Sequence, residues 1–412
     1  MSVLDRPGGK RARQKASLAA AAGEADAAVG RTLVPADVRL ANLARIVREM
    51  RSTDRLSRAD VARRAGVSLP TAHRLVSDLA VLGLVEQQRT VASRTRLGRP
   101  PVVYSFREDA ALLAGIDAGN EWTRLALTTL SGRILAERVL ASDQLGRDLA
   151  ETLGATVATL LDSAGQPADR LAGAAAGVAA CVDGRGVLRD PPVHQVWDGL
   201  PLRERLSDRL GCEVAVAQDD HLSSIAESSE RGTFPGATSL LVLEIGRGIG
   251  AGMTIDGKQV AGARGRFGRI AGWPVTDPVS GQPSTLGDSL VSHGLARQYQ
   301  ARGGTAPVTD GAGLADAARL GDPQAQVVLS WAAEQIADVV TRLHRLCDPQ
   351  AIVIGGGLAR AYDLLEPELT RRLAHGVLAA PSILGERAVV LGAEIVAGSF
   401  VESWLSTRLA RA

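Results

Sequence analysis

Cysteine, long apolar runs and, toward the N-terminus, acidic side chains are all scarce in this chain of 412 residues. The three cysteines, Cys181, Cys212 and Cys347, lie far apart and form no C-x-x-C pair, which argues against a disulfide framework or a thiolate zinc site and points to a reducing compartment. No apolar run approaches the roughly 18 residues that span a bilayer. With 45% hydrophobic and 22% charged residues, the composition is that of a soluble globular protein long enough for two or three domains. The start resembles a signal peptide only faintly, because its apolar part is short, alanine-rich and broken by Gly23, Glu24 and Asp26. Residues 1–35 are expected to be a disordered basic, Ala-rich tail of a cytoplasmic protein with no membrane partner.

The shortage of acid is local. Residues 1–107 hold 20 Lys and Arg against 9 Asp and Glu, a net +11, and the remainder carries −9, so the overall +2 conceals a basic head on an acidic body. Such a head is the electrostatic footprint of nucleic-acid binding, since phosphate neutralisation supplies most non-specific affinity.

Within that head the spacing of Leu40, Leu43, Ile46, Val47 and Met50 predicts an amphipathic helix. Ser57 stands three residues before Asp60, a capping-box start, and Gly66 ends the helix it opens. Ser68 caps a second helix, in which Pro70 falls in the first turn, where its missing amide costs nothing. Ala72, Leu75, Val76 and Leu79 form the buried stripe of that helix. Ser68, Pro70, Thr71, His73, Arg74 and Ser77 are left for base edges and phosphates of a DNA groove. Two β-prone runs, Leu84–Glu86 and Val102–Phe106, flank Arg89, Arg94, Arg96 and Arg99, the pattern of a winged helix-turn-helix over residues 36–107, with Arg94, Arg96 and Arg99 as further DNA contacts.

From Leu113 onward strands alternate with helical stretches, at Arg147–Ala164, Pro323–Leu346 and Ala359–Leu378, which predicts an α/β body of two lobes. Three glycine-rich turns follow strands there: Asp117 to Asn120, Gly246 to Gly252, and Gly355 to Gly357. Turns of this kind let backbone amides approach phosphate.

Taken together, GIDAG at 115–119, VWDGLPLRERL at 196–206, VAQDDHLSSIAE at 216–227, GRGIGAG at 246–252, GARGRFGRIAG at 262–272 and DPQAIVIGGGL at 348–358 resemble the ROK family of repressors and sugar kinases. The resemblance covers about residues 36–400. It implies an α/β protein in which a winged helix-turn-helix precedes a two-lobed actin-like, ribonuclease-H-like ATPase fold. The lobes are expected at 111–235, completed by 390–412, and at 236–389.

The resemblance also implies site residues, several of them altered. Glu121 occupies the threonine position of the family's first phosphate loop, so Asp117, Gly119, Gly246, Gly248, Gly250, Gly355 and Gly356 are read as vestigial phosphate loops. The family's catalytic aspartate falls at Asp219 and its sugar-binding asparagine at Gln218. Arg269 stands where a sugar-contacting glutamate is expected, Gly272 replaces the histidine, and Asp288 stands at a further sugar-binding position. The cysteines of the family's zinc site are absent from Asp277–Leu290, so neither a metal nor a cofactor is expected.

The function expected is a repressor, not an enzyme, acting in carbohydrate metabolism. It would read a near-palindromic operator in double-stranded DNA as a homodimer or homotetramer. Its effector would be a sugar or sugar derivative bound by Gln218, Asp219, Arg269 and Asp288. Arg269 admits two readings, an anionic effector or a dead site in which it pairs internally. A sugar kinase with an appended DNA-binding domain, and a regulator without an effector, remain the alternatives.

Overall fold

The computed structural model describes residues 39, 42, 43, 45–47, 49, 50, 55–89, 102–373 and 378–411. The N-terminal tail and Arg94, Arg96 and Arg99 lie outside the described residues. The chain divides into two compact units, one ending at Phe106 and one running from Arg107, with Leu82–Leu84 assigned to the second.

In the first unit the described positions of the 39–50 segment are helical, and Leu43, Ile46, Val47 and Met50 are buried. Strand β1 (Leu56–Ser57) leads into helix α1 (Arg58–Ala65). The Ser57 hydroxyl accepts from the Asp60 amide at 3.2 Å and the Asp60 carboxylate accepts from the Ser57 amide at 3.3 Å, satisfying two orphan donors of the first turn. Gly66, at φ +62°, closes α1 in the left-handed conformation that a β-carbon disfavours. Helix α2 (Leu69–Val81) buries Ala72, Leu75, Val76 and Leu79, the stripe expected from spacing. Strands β2 (Val85–Arg89) and β3 (Val102–Phe106) pair antiparallel, and β1 adds to the far side of β3, giving the order β1-β3-β2.

The second unit repeats one sheet topology twice. Strands β4 (Leu112–Ala118), β5 (Trp122–Thr129) and β6 (Ile134–Ala141) form an antiparallel meander. After helix α3 (Leu149–Ser163), strand β7 (Leu171–Val178) joins β4 in parallel. Helix α4 (Leu202–Leu210) then leads to β8 (Val214–Gln218), parallel to β7, so the sheet order is β8-β7-β4-β5-β6. Helix α5 (Asp219–Glu227) follows without a loop.

In the second sheet β9 (Ser239–Ile245), β10 (Ile249–Ile255) and β11 (Lys258–Gln259) make the meander. The long helix α6 (Pro323–Cys347) returns the chain to β12 (Ala351–Gly355), parallel to β9. Helix α7 (Tyr362–Arg372) precedes β13 (Leu378–Pro381), parallel to β12, giving β11-β10-β9-β12-β13. Three antiparallel strands with two parallel strands added on the far side of the first is the ribonuclease-H arrangement, and its duplication is the actin-like body. The expected helix through Leu378 is therefore too long: α7 ends at Arg372, and Leu378 opens an edge strand. Its run of Leu378 to Pro381 places alternate side chains on the two faces of a sheet, a period that a helix reading misses.

Helices α8 (Ala388–Ala397) and α9 (Val401–Arg411) return to the first sheet, α8 packing on β4, β7 and α5. The Gly385–Arg408 stretch is long and apolar enough to cross a membrane by composition, which inspection for unbroken runs does not register. Half of that apolar window is buried within the body, where Leu391, Ala393 and Ala397 pack against the strands.

Helix α5 sits where all these layers meet. Β-carbons are missing at each approach to it: one built at Gly252 would lie 1.8 Å from the Asp220 carbonyl oxygen, and one at Gly392 would lie 1.9 Å from that of Leu222. We expect Gly252→Ala to lower folding stability by about 1–3 kcal/mol through overpacking. Gly272→Ala, where nothing lies within 4 Å, should melt like the parent. Equal melting temperatures for both variants would show that α5 has room to move.

Candidate functional site

Two surfaces carry the chemistry expected from sequence. On α2, Pro70, His73 and Arg74 are exposed, opposite the buried stripe. Arg74 makes no ion pair or hydrogen bond among the described residues. The hydroxyls are partly spent on local structure: Ser68 and Thr71 share a 2.8 Å hydrogen bond, Ser68 accepts from the Thr71 amide, and Ser77 donates to the His73 carbonyl at 2.9 Å. The recognition-helix positions free to meet a ligand are thus Pro70, His73 and Arg74. Leu69, also exposed, flanks them and escapes a search for polar side chains.

In the body, the residues around the start of α5 form a cluster of carboxylates. Burial pushes Asp117, at the end of β4, up to about 7, and pushes Glu244, near the end of β9, up to about 8. Asp219 is raised well above the carboxylate range by burial, then by the charges of Asp220 and Asp117. Burial raises Asp220 to about 6, while a 2.9 Å hydrogen bond from Gln218 Nε2 and the field of Arg269 hold it down. Ser223 donates to Glu244 at 2.6 Å. Asp117, Gln218 and Asp219 were expected here from the family pattern. Asp220, His221 and Glu244 were not, although the paired Asp219-Asp220 directly after a strand was a usable signal.

The remaining expected positions scatter. Arg269 is exposed, donates to the Asp190 carbonyl at 3.3 Å, and acts on Asp220 and Cys181 through its field. Asp288 is exposed and engaged as a helix cap: Thr285 donates to its carboxylate at 2.6 Å and accepts from its amide at 3.2 Å. Of the glycines read as phosphate loops, Gly119, Gly246 and Gly248 occupy turns. Gly250 lies inside β10, where a β-carbon would sit 1.9 Å from Asp220 Oδ2, and Gly355 ends β12, where one would meet the Glu244 carboxylate at 2.4 Å. Gly356, at φ +73°, lies against the Ile245 carbonyl. These last three permit close packing of backbone on carboxylates and carbonyls. Glu121 is neutralised by Arg247 of the Gly246–Gly248 turn, so an ion pair ties together the first two of the three loops.

The family's structural zinc finds no donor set here. The hairpin of 274–276 and 283–285 is closed by Asp277, whose Oδ1 accepts from the amides of Val279 (3.0 Å) and Ser280 (2.9 Å) while Oδ2 accepts from Arg297 at 2.8 Å. Among the described residues no group of three His, Cys, Asp or Glu side chains is set to hold a metal.

The ROK family model matches residues 113–397, well over half of the chain. The chain belongs to the ROK family. An IclR helix-turn-helix domain model matches residues 40–89 of this ROK protein. A protein of Caldicellulosiruptor bescii named xylose repressor is 22% identical over 366 residues, covering 82% of this chain and 90% of the relative. The glucokinase of Thermotoga maritima is 24% identical over 299 residues, 68% of this chain and 91% of the enzyme. The crystal structure of a ROK family transcriptional regulator, described as a homolog of the E. coli MLC protein, superposes with a TM-score of 0.72 at 19% identity, covering 91% of this chain and all of that one. That likeness supports the order of helix-turn-helix and sugar-kinase-like body.

The carboxylate cluster makes a signed prediction. Asp117 and Glu244 have ordinary values of 3.8 and 4.5, so each keeps a proton in the folded chain over a range in which the unfolded chain has lost it. Stability from these groups is full below pH about 4 and drains away as pH rises through about 7 to 8. We expect the melting temperature to fall between pH 5 and pH 8.5, and Glu244→Gln, which keeps an acceptor for Ser223, to flatten the fall. A variant with the parent's pH profile would remove Glu244 from the cluster.

Proposed function

We propose that this ROK protein is a DNA-binding transcriptional repressor whose body senses a sugar and does not phosphorylate it. The observation that carries the proposal is the exposed Pro70–His73–Arg74 face of α2, with an unpaired guanidinium, on a helix-turn-helix in the basic quarter of the chain. Arginine in that position suits the bidentate acceptors of guanine in a major groove. The wing arginines Arg94, Arg96 and Arg99 would add contacts to the phosphate backbone. DNA is read in the cytoplasm, as a homodimer or homotetramer on a near-palindromic operator, because isologous assemblies place two identical reading heads on related half-sites.

Against phosphoryl transfer stands Glu121, a carboxylate paired with Arg247 between the loops that would cradle a triphosphate. The relative named glucokinase keeps a kinase as the alternative, tested by ADP release over a sugar panel. The relative named xylose repressor favours repression and a carbohydrate effector. The candidate effector positions are Gln218 and Asp219, with Arg269 at the rim and Asp288 farther out. A neutral sugar fits them better than an anion, since Arg269 is exposed and donates to the Asp190 carbonyl while the buried carboxyl groups beside Gln218 sit in a volume that disfavours negative charge. The lobes proposed for this body are 111–235 with 390–412, and 236–389, behind a DNA-binding domain of 36–107.

Genome-wide occupancy of the protein in its host, followed by mobility-shift titration on the recovered sites, tests the proposal. Arg74→Ala should weaken specific binding by about tenfold to a hundredfold and relax base preference, whereas Arg96→Ala should weaken binding evenly across sequences and reduce the salt dependence by about one counterion. Occupancy indistinguishable from background, or Arg74→Ala binding like the parent, would overturn it.

A further inference from the structure

Helix α2 presents an apolar turn ahead of a polar one. Leu69, at the first position of the helix, is 54% exposed, and Pro70 beside it is exposed as well. Residues four apart are neighbours on a helix surface, so Leu69 is followed one turn later by exposed His73, and Pro70 by exposed Arg74.

The hydroxyls at this end of the helix are turned inward on the chain itself. Ser68 and Thr71 share a hydrogen bond of 2.8 Å, Ser68 Oγ accepts from the Thr71 amide at 3.3 Å, and Ser77 donates to the His73 carbonyl at 2.9 Å. With its oxygen engaged by Ser68, Thr71 keeps a methyl as its free end. Asp78, the one acid of α2, is held by Arg39 at 2.9 Å, and the first turn carries no acid. What the start of α2 offers a groove is therefore hydrocarbon, from Leu69, Pro70 and the Thr71 methyl, directly before a guanidinium and an imidazole.

Among the base edges of a major groove only thymine presents a methyl group; the others present acceptors and amino donors. A leucine set against those polar edges would strip them of water and return no hydrogen bond, whereas set against the methyl it removes two apolar surfaces from water. The N-terminal residues of a recognition helix are the ones that reach base edges. Leu69 and Pro70 precede His73 and Arg74 by about 6 Å of helix rise, about two base-pair steps of B-DNA.

We propose that Leu69, with Pro70, is a specificity-determining contact that selects thymine. Each half-site carries a T·A pair whose 5-methyl group seats against the first turn of α2, one or two base pairs from the guanine met by Arg74. This rests on the DNA-binding reading above and adds to it a base chosen by apolar contact, which no polar side chain of α2 supplies.

The test begins with in vitro selection of duplexes from a randomised DNA pool by the full chain. Single thymines of the selected duplex are then replaced by uracil, which lacks the methyl and keeps every hydrogen bond of the pair. At one position in a half-site, beside the recurrent guanine, uracil should weaken binding by the parent about threefold to fivefold, the worth of one buried methyl. Leu69→Ala, a change at an exposed position, should bind the thymine and uracil duplexes alike and keep the guanine preference. Arg74→Ala should relax the guanine preference and keep the uracil effect. Parent binding indifferent to uracil at every position, or an undiminished uracil effect in Leu69→Ala, overturns the inference while the repressor reading stands. A chain that selects no sequence from the pool loses both.

Discussion

The body of this protein depends on the burial of one short helix, Asp219–Glu227, between two sheets and a second helix. Its residues from Asp220 onward are buried to the last position but carry Asp220, His221, Ser223, Ser224 and Glu227, side chains that seldom occupy such a site unpaired. The helix is tolerated because glycines at 177, 250, 252 and 392 let strands and helix backbone approach to contact distance, trading side-chain packing for backbone packing. Its own end is secured by Glu227, which accepts from the Thr233 amide at 2.9 Å and hydroxyl at 2.6 Å and is also bonded by Ser382. That arrangement places Asp219 and Asp220 at the helix N-terminus, where the helix dipole favours negative charge, and opposes the dipole with desolvation. Desolvation wins, which is why the cluster holds protons.

From the same constraint follows the altered chemistry of the cleft. Asp117, Asp219, Asp220 and Glu244, four carboxyl groups, share one desolvated volume. A triphosphate entering it would bring its charge into a volume whose desolvation already disfavours the ionised form of its own carboxylates. A sugar would instead find groups that accept or, when protonated, donate hydrogen bonds at little electrostatic cost.

How legible this was from sequence depended on the range of the interaction. The helix-turn-helix was readable because its determinants are local: Ser57 with Asp60, Gly66 at positive φ, and an apolar stripe at helical spacing on one helix. The body's strands were readable for the same reason, as was the family pattern that orders them. What escaped was set by contacts between distant segments. Gly250 and Gly355, read as phosphate-loop glycines in a one-dimensional string, also lie where a β-carbon would meet the Asp220 and Glu244 carboxyl groups, a contact no local pattern announces. Asp288, matched by position to a sugar ligand, is held by Thr285 three residues away. Leu378 was taken for helix because nothing local marks it as the edge of a sheet whose other strands lie elsewhere in the chain.

The pair Glu121–Arg247 bears on how the two halves of the body are held relative to each other. It joins a turn after the first sheet's β4 to the hairpin between β9 and β10, bridging the two halves of the body at the place where the kinases of the family are expected to hold phosphate. Both side chains are substantially exposed, 41% and 62%, so the pair contributes at most about 1 kcal/mol and less in salt. It cannot hold the lobes shut against ligand binding. It can set which separation is preferred when the cleft holds nothing, because a bias of this size shifts a two-state equilibrium by a few-fold, leaving the ligand's own differential affinity to do the rest. In the kinases a charged substrate would close the same gap by bridging the loops itself. Here the Glu121–Arg247 pair spans that gap with no phosphate between the loops.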